Sequence, residues 1–138
     1  MSEKIRKKLS NVLKEWGLGE AEAEIFATLA TSGGLTAKEI SDELGYAYST
    51  TINCLNNLRR MGYVERSKEK RKFIYFANTD FAGLVEREIK KMTSSLKEIV
   101  REIHKLEDRY RNKLKELAVR IEKAIKYIEG KGLPEGLK

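Results

Sequence analysis

Between Phe81 and Glu129 the chain has no proline, and its only glycine there is Gly83, in the first turn. Those 49 residues could run as one helix, which at 1.5 Å per residue would span about 73 Å. Apolar residues recur at Val85, Ile89, Met92, Leu96, Ile99, Ile103, Leu106 and Tyr110, in alternating steps of four and three. The series takes one extra four-residue step to Leu114, then resumes through Leu117, Ile121, Ala124 and Ile128. This is a heptad seam with one stutter, which relaxes a left-handed supercoil. Lys, Arg and Glu cover most of the remaining surface. A single helix cannot bury its own stripe, so the segment must fold back on itself or pair with another chain. The reading is a long coiled-coil dimerisation helix over 80–130, with the seam from Val85 to Ile128 as the dimer interface. A bend near Thr93-Ser94-Ser95 and the relative direction of the two chains stay open. Gly130 to Pro134 ends the helix in a frayed tail over 131–138.

The first 79 residues have a different rhythm. Ser2 can cap a helix through Trp16 with Ile5, Leu9, Val12, Leu13 and Trp16 at helical spacing. After Gly17-Leu18-Gly19, a second helix is expected from Glu20 to Ser32. Its acidic first turn suits the positive end of the helix dipole. Ala23, Phe26, Ala27 and Ala30 line one side of it, flanked by Ile25 and Leu29. Gly33-Gly34 ends that helix, and Leu35 can form a one-residue strand. Thr36-Ala37-Lys38-Glu39 reads as a capping box that opens a short helix to Leu44. Gly45-Tyr46-Ala47 then turns into a helix over 47–61. Two short helices joined by a Gly-containing turn are the helix-turn-helix signature. Beyond Gly62, Tyr63–Arg66 and Phe73–Phe76 are rich in β-formers, which predicts a hairpin over 64–77. Its connection, Ser67–Lys72, lacks Gly and Asn and predicts a loose tip. The fold class is therefore mainly α with a small β-hairpin: a winged helix-turn-helix over 1–79 and the long helix after it.

The net charge is +7 and charged residues make up 36% of the chain. The distribution says more than the total. Residues 20–45 carry a net −5, residues 46–72 a net +5. A concentrated basic zone is the footprint of a protein that grips phosphates, although a solvated surface can also be basic. The chain has no glutamine, and Lys and Glu are abundant, a bias of heat-adapted proteins. A thermophilic, archaeal source is the expectation.

On the helix over 47–61, Ile52, Leu55, Leu58 and part of Tyr48 face one way. Ser49, Thr50, Asn53, Asn57 and Arg60 face the other. An exposed face in so charged a chain would ordinarily be Lys/Glu-rich. Ser, Thr and Asn are weaker helix formers, so their presence needs a reason. Asn pairs bidentately with adenine in the major groove, and Ser and Thr bond to bases or phosphates. The hairpin adds Arg66, Lys68, Lys70, Arg71 and Lys72, suited to phosphates or the minor groove. Thr36, Lys38, Tyr46 and Tyr48 complete the expected DNA-binding set.

Three stretches also resemble the winged-helix domain of archaeal TrmB-type and MarR-type transcriptional regulators. They are Trp16–Phe26, Leu35-Thr36-Ala37-Lys38-Glu39-Ile40, and Leu55–Val64 with its Leu-x-x-Leu-x-x-x-Gly-Tyr-Val exit. The resemblance covers about residues 16–80. It implies a dimeric regulator whose recognition helix enters the major groove. TrmB-type proteins often carry a C-terminal sugar-binding domain, whereas here only the long helix follows. Tyr46-Ala47-Tyr48-Ser49 also lacks the basic residue common at that position in the family.

Catalysis is not expected. His104 is the only histidine and lies off the seam among charged residues. Cys54 is the only cysteine, so no internal disulfide forms, and a buried small apolar role suits it better than a redox switch. There is no zinc spacing, Walker loop or dinucleotide fingerprint, so neither metal nor cofactor is expected. The N-terminus shows no signal-peptide core, and no apolar run reaches the roughly 18 residues of a membrane span. A cytoplasmic homodimer on double-stranded DNA is the expectation, its effector unspecified. The competing readings are a protein–protein adaptor and a sequence-independent chromatin protein.

Overall fold

The computed structural model describes residues 2–131, so most of the tail expected over 131–138 lies outside the described residues. Contacts divide the chain into two compact units, meeting between Thr79 and Asp80. In the first unit come α1 (Ser2–Glu15), α2 (Glu20–Ser32), α3 (Ala37–Leu44), α4 (Tyr48–Arg60), β1 (Val64–Glu69) and β2 (Lys72–Ala77). In the second come α5 (Phe81–His104), α6 (Asp108–Lys113) and α7 (Lys115–Lys131).

The first unit is built around α2. Its start is tied locally, with the Glu22 carboxylate accepting from the Gly19 N–H at 3.3 Å. From Ile25 to Leu29 every residue is buried, because α1, α3, α4 and β2 all pack against this helix. The Phe26 ring meets Tyr63 edge-on, with centroids 5.8 Å apart, a favoured aromatic geometry. Leu13, Ile40, Leu55 and Leu58 close the core around them. In α1 the apolar stripe is only partly used. Leu13 is buried and Leu9 half-buried, but Ile5, Val12 and Trp16 are exposed. One helix neighbour covers one side of α1, so the remaining apolar positions stay in solvent.

The capping box of α3 forms as the sequence suggests. The Glu39 N–H donates to the Thr36 hydroxyl at 3.1 Å, and the Thr36 N–H donates to the Glu39 carboxylate at 2.9 Å. Gly45 takes the left-handed conformation (φ 80°) and closes α3, a geometry that glycine adopts without strain.

The hairpin is tighter than its sequence suggests. Val64 to Glu69 pair antiparallel with Ala77 to Lys72, leaving only Lys70 and Arg71 as the turn. The expected loose tip over Ser67–Lys72 is therefore wrong. Lys70 supplies the positive φ, at 55°, that glycine or asparagine ordinarily provides. Strand pairing outweighs the local preference, because the aromatic strand Phe73–Phe76 is held from its other edge. Leu35 bridges Tyr75 through N···O contacts of 3.1 and 2.8 Å. Gly34 permits that approach, since a Cβ there would lie 2.4 Å from Phe76 and 2.7 Å from Ile74. At the base of the hairpin, the Asn78 side chain donates to the Gly62 carbonyl at 3.0 Å.

The second unit corrects the single long helix over 80–130. The helix stops at His104 and turns through Lys105–Glu107; after short α6, α7 returns against α5. The Lys97–Glu129 ion pair (2.8 Å) and the approach of His104 to Glu122 (3.8 Å) show the antiparallel order. Thr93-Ser94-Ser95 is not the bend. Thr93 is buried and donates to the Ile89 carbonyl at 2.9 Å within a continuous α5. The break falls where Glu107 adopts an extended N-cap conformation. Folding back removes apolar surface from water, which an extended 49-residue helix would leave exposed.

The residues buried by this turn differ from the heptad seam. Val100, Ile103, Ala118 and Ile125 are buried. Of the expected dimer-interface residues, only Ile103 belongs to that set. Val85, Ile89, Leu96, Leu114, Ile121 and Ile128 are half-buried. Met92, Ile99, Leu106, Tyr110 and Leu117 are exposed, Met92 by 55% and Leu117 by 47%.

Candidate nucleic-acid interface

The chemistry of α4 starts from its own sequence. Thr51, Leu55 and Leu58 are buried and fix which way the helix faces. Ser49, Thr50, Asn53 and Arg60 are then exposed, and Asn57 is half-buried. The Arg60 guanidinium donates to the Asn57 side-chain oxygen. No acid occurs anywhere in α4. Asn56, not among the expected residues, is exposed too. At 100° per residue it falls about 20° from Ser49 and about 40° from Arg60, on the same arc. Its signal was present in the helical wheel, three positions after Asn53.

The start of α4 is bare. Ala47 is its N-cap and makes no side-chain cap, so the first backbone N–H groups keep no side-chain acceptor. A bare helix N-terminus is a ready site for a phosphate. Tyr48 stands beside it, 57% exposed, rather than turned partly inward as its place on the wheel suggests. In the first turn no preceding helical turn exists to cover it.

An open groove of about 780 Å³ runs between α3, the start of α4 and β2. It gathers Thr36, Lys38, Tyr48, Arg71 and Lys72 from the expected set. Glu39 and Asp42 line it as well. Lys38 is paired with Asp42 at 3.2 Å. The main-chain and hydroxyl hydrogen bonds of Thr36 hold the Glu39 carboxyl below the usual range, with a smaller contribution from the charge of Lys72. Thr36 is thus chiefly a cap that happens to line the groove.

Tyr46 is tied inward. Its hydroxyl donates to Glu24 on α2 at 3.0 Å, and its carbonyl accepts from Ser41 at 2.6 Å. Burial, then the bond to Glu24, pushes its phenol up to about 12. It anchors the turn before α4 to α2 rather than facing outward with Tyr48.

On the wing, Arg66, Lys68, Lys70, Arg71 and Lys72 are all exposed. The Arg66 guanidinium lies 3.9 Å from the Phe73 ring centroid, and the Lys68 ammonium 5.8 Å. Stacking of this kind orders a cation without neutralising it. Cys54 sits half-buried on the flank of α4. Burial, with the charge of Glu22, pushes its thiol up, which works against the thiolate that a redox switch requires. His104 is exposed on the second unit. Among the described residues, no group of three His, Cys, Asp or Glu could hold a metal. No described helix is long and apolar enough to cross a membrane.

Comparison with known proteins agrees with this fold. Residues 13–79 match the family model of the sugar-specific transcriptional regulator TrmB. No curated protein matches the chain. A crystal structure of a transcriptional regulator superposes with a TM-score of 0.60 at 12% identity, covering 90% of this chain and 95% of that one. TrmBL2, described as an archaeal chromatin protein with a novel mode of DNA binding, superposes with a TM-score of 0.63 at 22% identity. That match covers 86% of this chain but 45% of TrmBL2. At such identities the superpositions speak for the fold. Residues 13–79 form a winged helix-turn-helix that is similar to the TrmB family model.

Proposed function

We propose that the protein is a sequence-specific, duplex-DNA-binding transcriptional regulator that acts as a homodimer. The observation that carries this reading is the exposed, acid-free Ser/Thr/Asn face of α4 beside a wing of five exposed cations. In this reading α4 enters the major groove, with Asn53 and its neighbours on base edges. The wing and the bare start of α4 hold the phosphate backbone. Pairing of two chains uses the apolar seam that the α5–α7 hairpin leaves open, around Met92, Ile99 and Leu117. Two readers would then meet successive major grooves about 34 Å apart.

Binding to a genomic fragment library, with the retained sites footprinted, tests this reading. Asn53→Ala should relax preference at one position per half-site by about 1–3 kcal/mol. Arg71→Ala should weaken all sequences alike and lower the salt slope by about one. If the two variants lose specific and random DNA equally, base reading by α4 is wrong. A second reading, a sequence-independent chromatin protein, is supported by the fold shared with TrmBL2. It predicts salt-dependent binding without a preferred site. Absence of any shift with random duplex at low salt and micromolar protein would leave a protein–protein adaptor.

A further inference from the structure

Direct readout of a base pair needs matched chemistry. In the major groove guanine presents two acceptors, O6 and N7, which Arg or Lys meets bidentately. Cytosine presents the N4 donor, which Asp or Glu accepts. Adenine presents a donor beside an acceptor, N6 and N7, and the side-chain amide of Asn matches both. Thymine adds a C5 methyl, which takes an apolar contact. The side chains of α4 are unevenly matched to these four edges.

Recognition helices place their N-terminal residues on base edges. From the start of α4 through its third turn the exposed residues are Tyr48, Ser49, Thr50, Asn53 and Asn56. None of them is a cation, so none meets guanine bidentately, and none is an acid that would accept from cytosine. Arg59 and Arg60 come only in the last turn, and the Arg60 guanidinium is engaged with the Asn57 side-chain oxygen. On α3, Lys38 is paired with Asp42 at 3.2 Å. Arg71 and Lys72 line the groove from the wing, the element that grips phosphates in the reading above. The side-chain amides of Asn53 and Asn56, by contrast, make no hydrogen bond among the described residues. They lie three residues apart, about 4.5 Å along the helix axis, close to the step of about 3.4 Å between base pairs. Tyr48, Ile52 and Asn56 form one row at four-residue spacing, with Asn53 in the row beside it. Tyr48 and Ile52 both line the groove, so an apolar strip runs alongside the two amides.

We propose that α4 reads A·T pairs rather than G·C pairs. Asn53 and Asn56 hold the adenine edges of neighbouring pairs, and Tyr48, with the methyl of Thr50, meets thymine C5 methyls. The proposal rests on the regulator reading above and names the class of duplex that such a regulator selects: sites whose major-groove contacts are made to adenine and thymine.

The test uses the full chain and a pool of random duplexes. The retained duplexes are sequenced, and the preferred site is rebuilt with altered bases. 7-Deazaadenine removes the N7 acceptor of adenine, 7-deazaguanine removes that of guanine, and deoxyuridine removes the thymine methyl. 7-Deazaadenine at the contacted positions is expected to weaken binding about tenfold, and deoxyuridine about threefold. 7-Deazaguanine should leave binding unchanged throughout the site. Asn53→Ala and Asn56→Ala, both at exposed positions, should each abolish the 7-deazaadenine penalty at the position that side chain holds. Arg71→Ala should weaken binding yet keep the penalty. A site that depends on the guanine N7 overturns the A·T assignment and leaves the regulator reading in place. So does an A·T preference indifferent to the adenine N7, which would belong to DNA shape read by the wing in the minor groove. Penalties that persist in both asparagine variants overturn it as well. Retention of no preferred sequence overturns sequence-specific regulation itself, and base reading by α4 with it.

Discussion

The helices α2 and α5 both carry apolar residues at helical spacing, yet they end in opposite conditions. In α2, of 13 residues, burial is unbroken from Ile25 to Leu29. In α5, of 24 residues, only Leu84, Thr93, Val100 and Ile103 are buried. The difference lies in their neighbours. Four elements pack around α2, whereas within its unit α5 packs mainly along α7. A helix enclosed on every side is framework, and its side chains have found their partners. A helix covered along one side keeps an apolar edge for something else to meet, and here that edge includes Met92 and Ile99.

The largest test of that contrast is a pair of truncations. Phe26→Ala should cost about 3–5 kcal/mol in urea unfolding, because its ring is enclosed and packed on Tyr63. Ile99→Ala should cost less than about 1 kcal/mol in the same assay at high dilution, where the free chain dominates. Equal losses would mean that the open edge of α5 is core after all. Next in size, Met92→Glu with Leu117→Glu should weaken self-association by about tenfold or more while leaving the fold intact. Sedimentation velocity over a concentration series reads this directly. A variant that still associates like the wild type would place the dimer contact elsewhere.

Smaller effects probe how settled the first unit is at its margins. Thr36→Ala should lower stability by about 1 kcal/mol through loss of the cap of α3, measured by thermal or urea unfolding. No loss would mean that tertiary contacts alone hold the start of α3. The smallest effect concerns Glu39, whose folded pKa lies below its ordinary 4.5. A lowered carboxyl contributes stability above its unfolded pKa and loses it as pH falls through the folded value. Glu39→Gln should therefore flatten the acid limb of the stability curve below about pH 4.5. An unchanged limb would show that the exposed cap adds nothing measurable.

Much of the first unit was legible because its signals are local. A capping box needs only Thr36 and Glu39 three residues apart, and it formed. The break at Gly45 and the outward Ser/Thr/Asn arc of α4 follow from the glycine's permissive backbone and a 3.6-residue period. Asn56 belonged to that same arc and could have been read from it. Tyr46 could not be read so. Its hydroxyl is claimed by Glu24, 22 residues earlier, and no local pattern announces so distant a partner. The tight turn at Lys70-Arg71 was hidden for a related reason. Its residues disfavour it, and the pairing of whole strands, braced by Leu35, overrides them.

The sequence by itself determined the element order, the capping of α3, the low-charge face of α4 and the need for the 81–129 stripe to find a partner. Those depend on period, charge and backbone permissiveness, which act within a few residues. Only the tertiary structure decided that the stripe meets α7 of its own chain along one side. It likewise decided which seam residues stay exposed and that Glu24 holds the Tyr46 hydroxyl. Each of these depends on which distant segment packs against a surface. Apolar attraction has no direction, so the stripe alone could demand burial but could not name what would bury it.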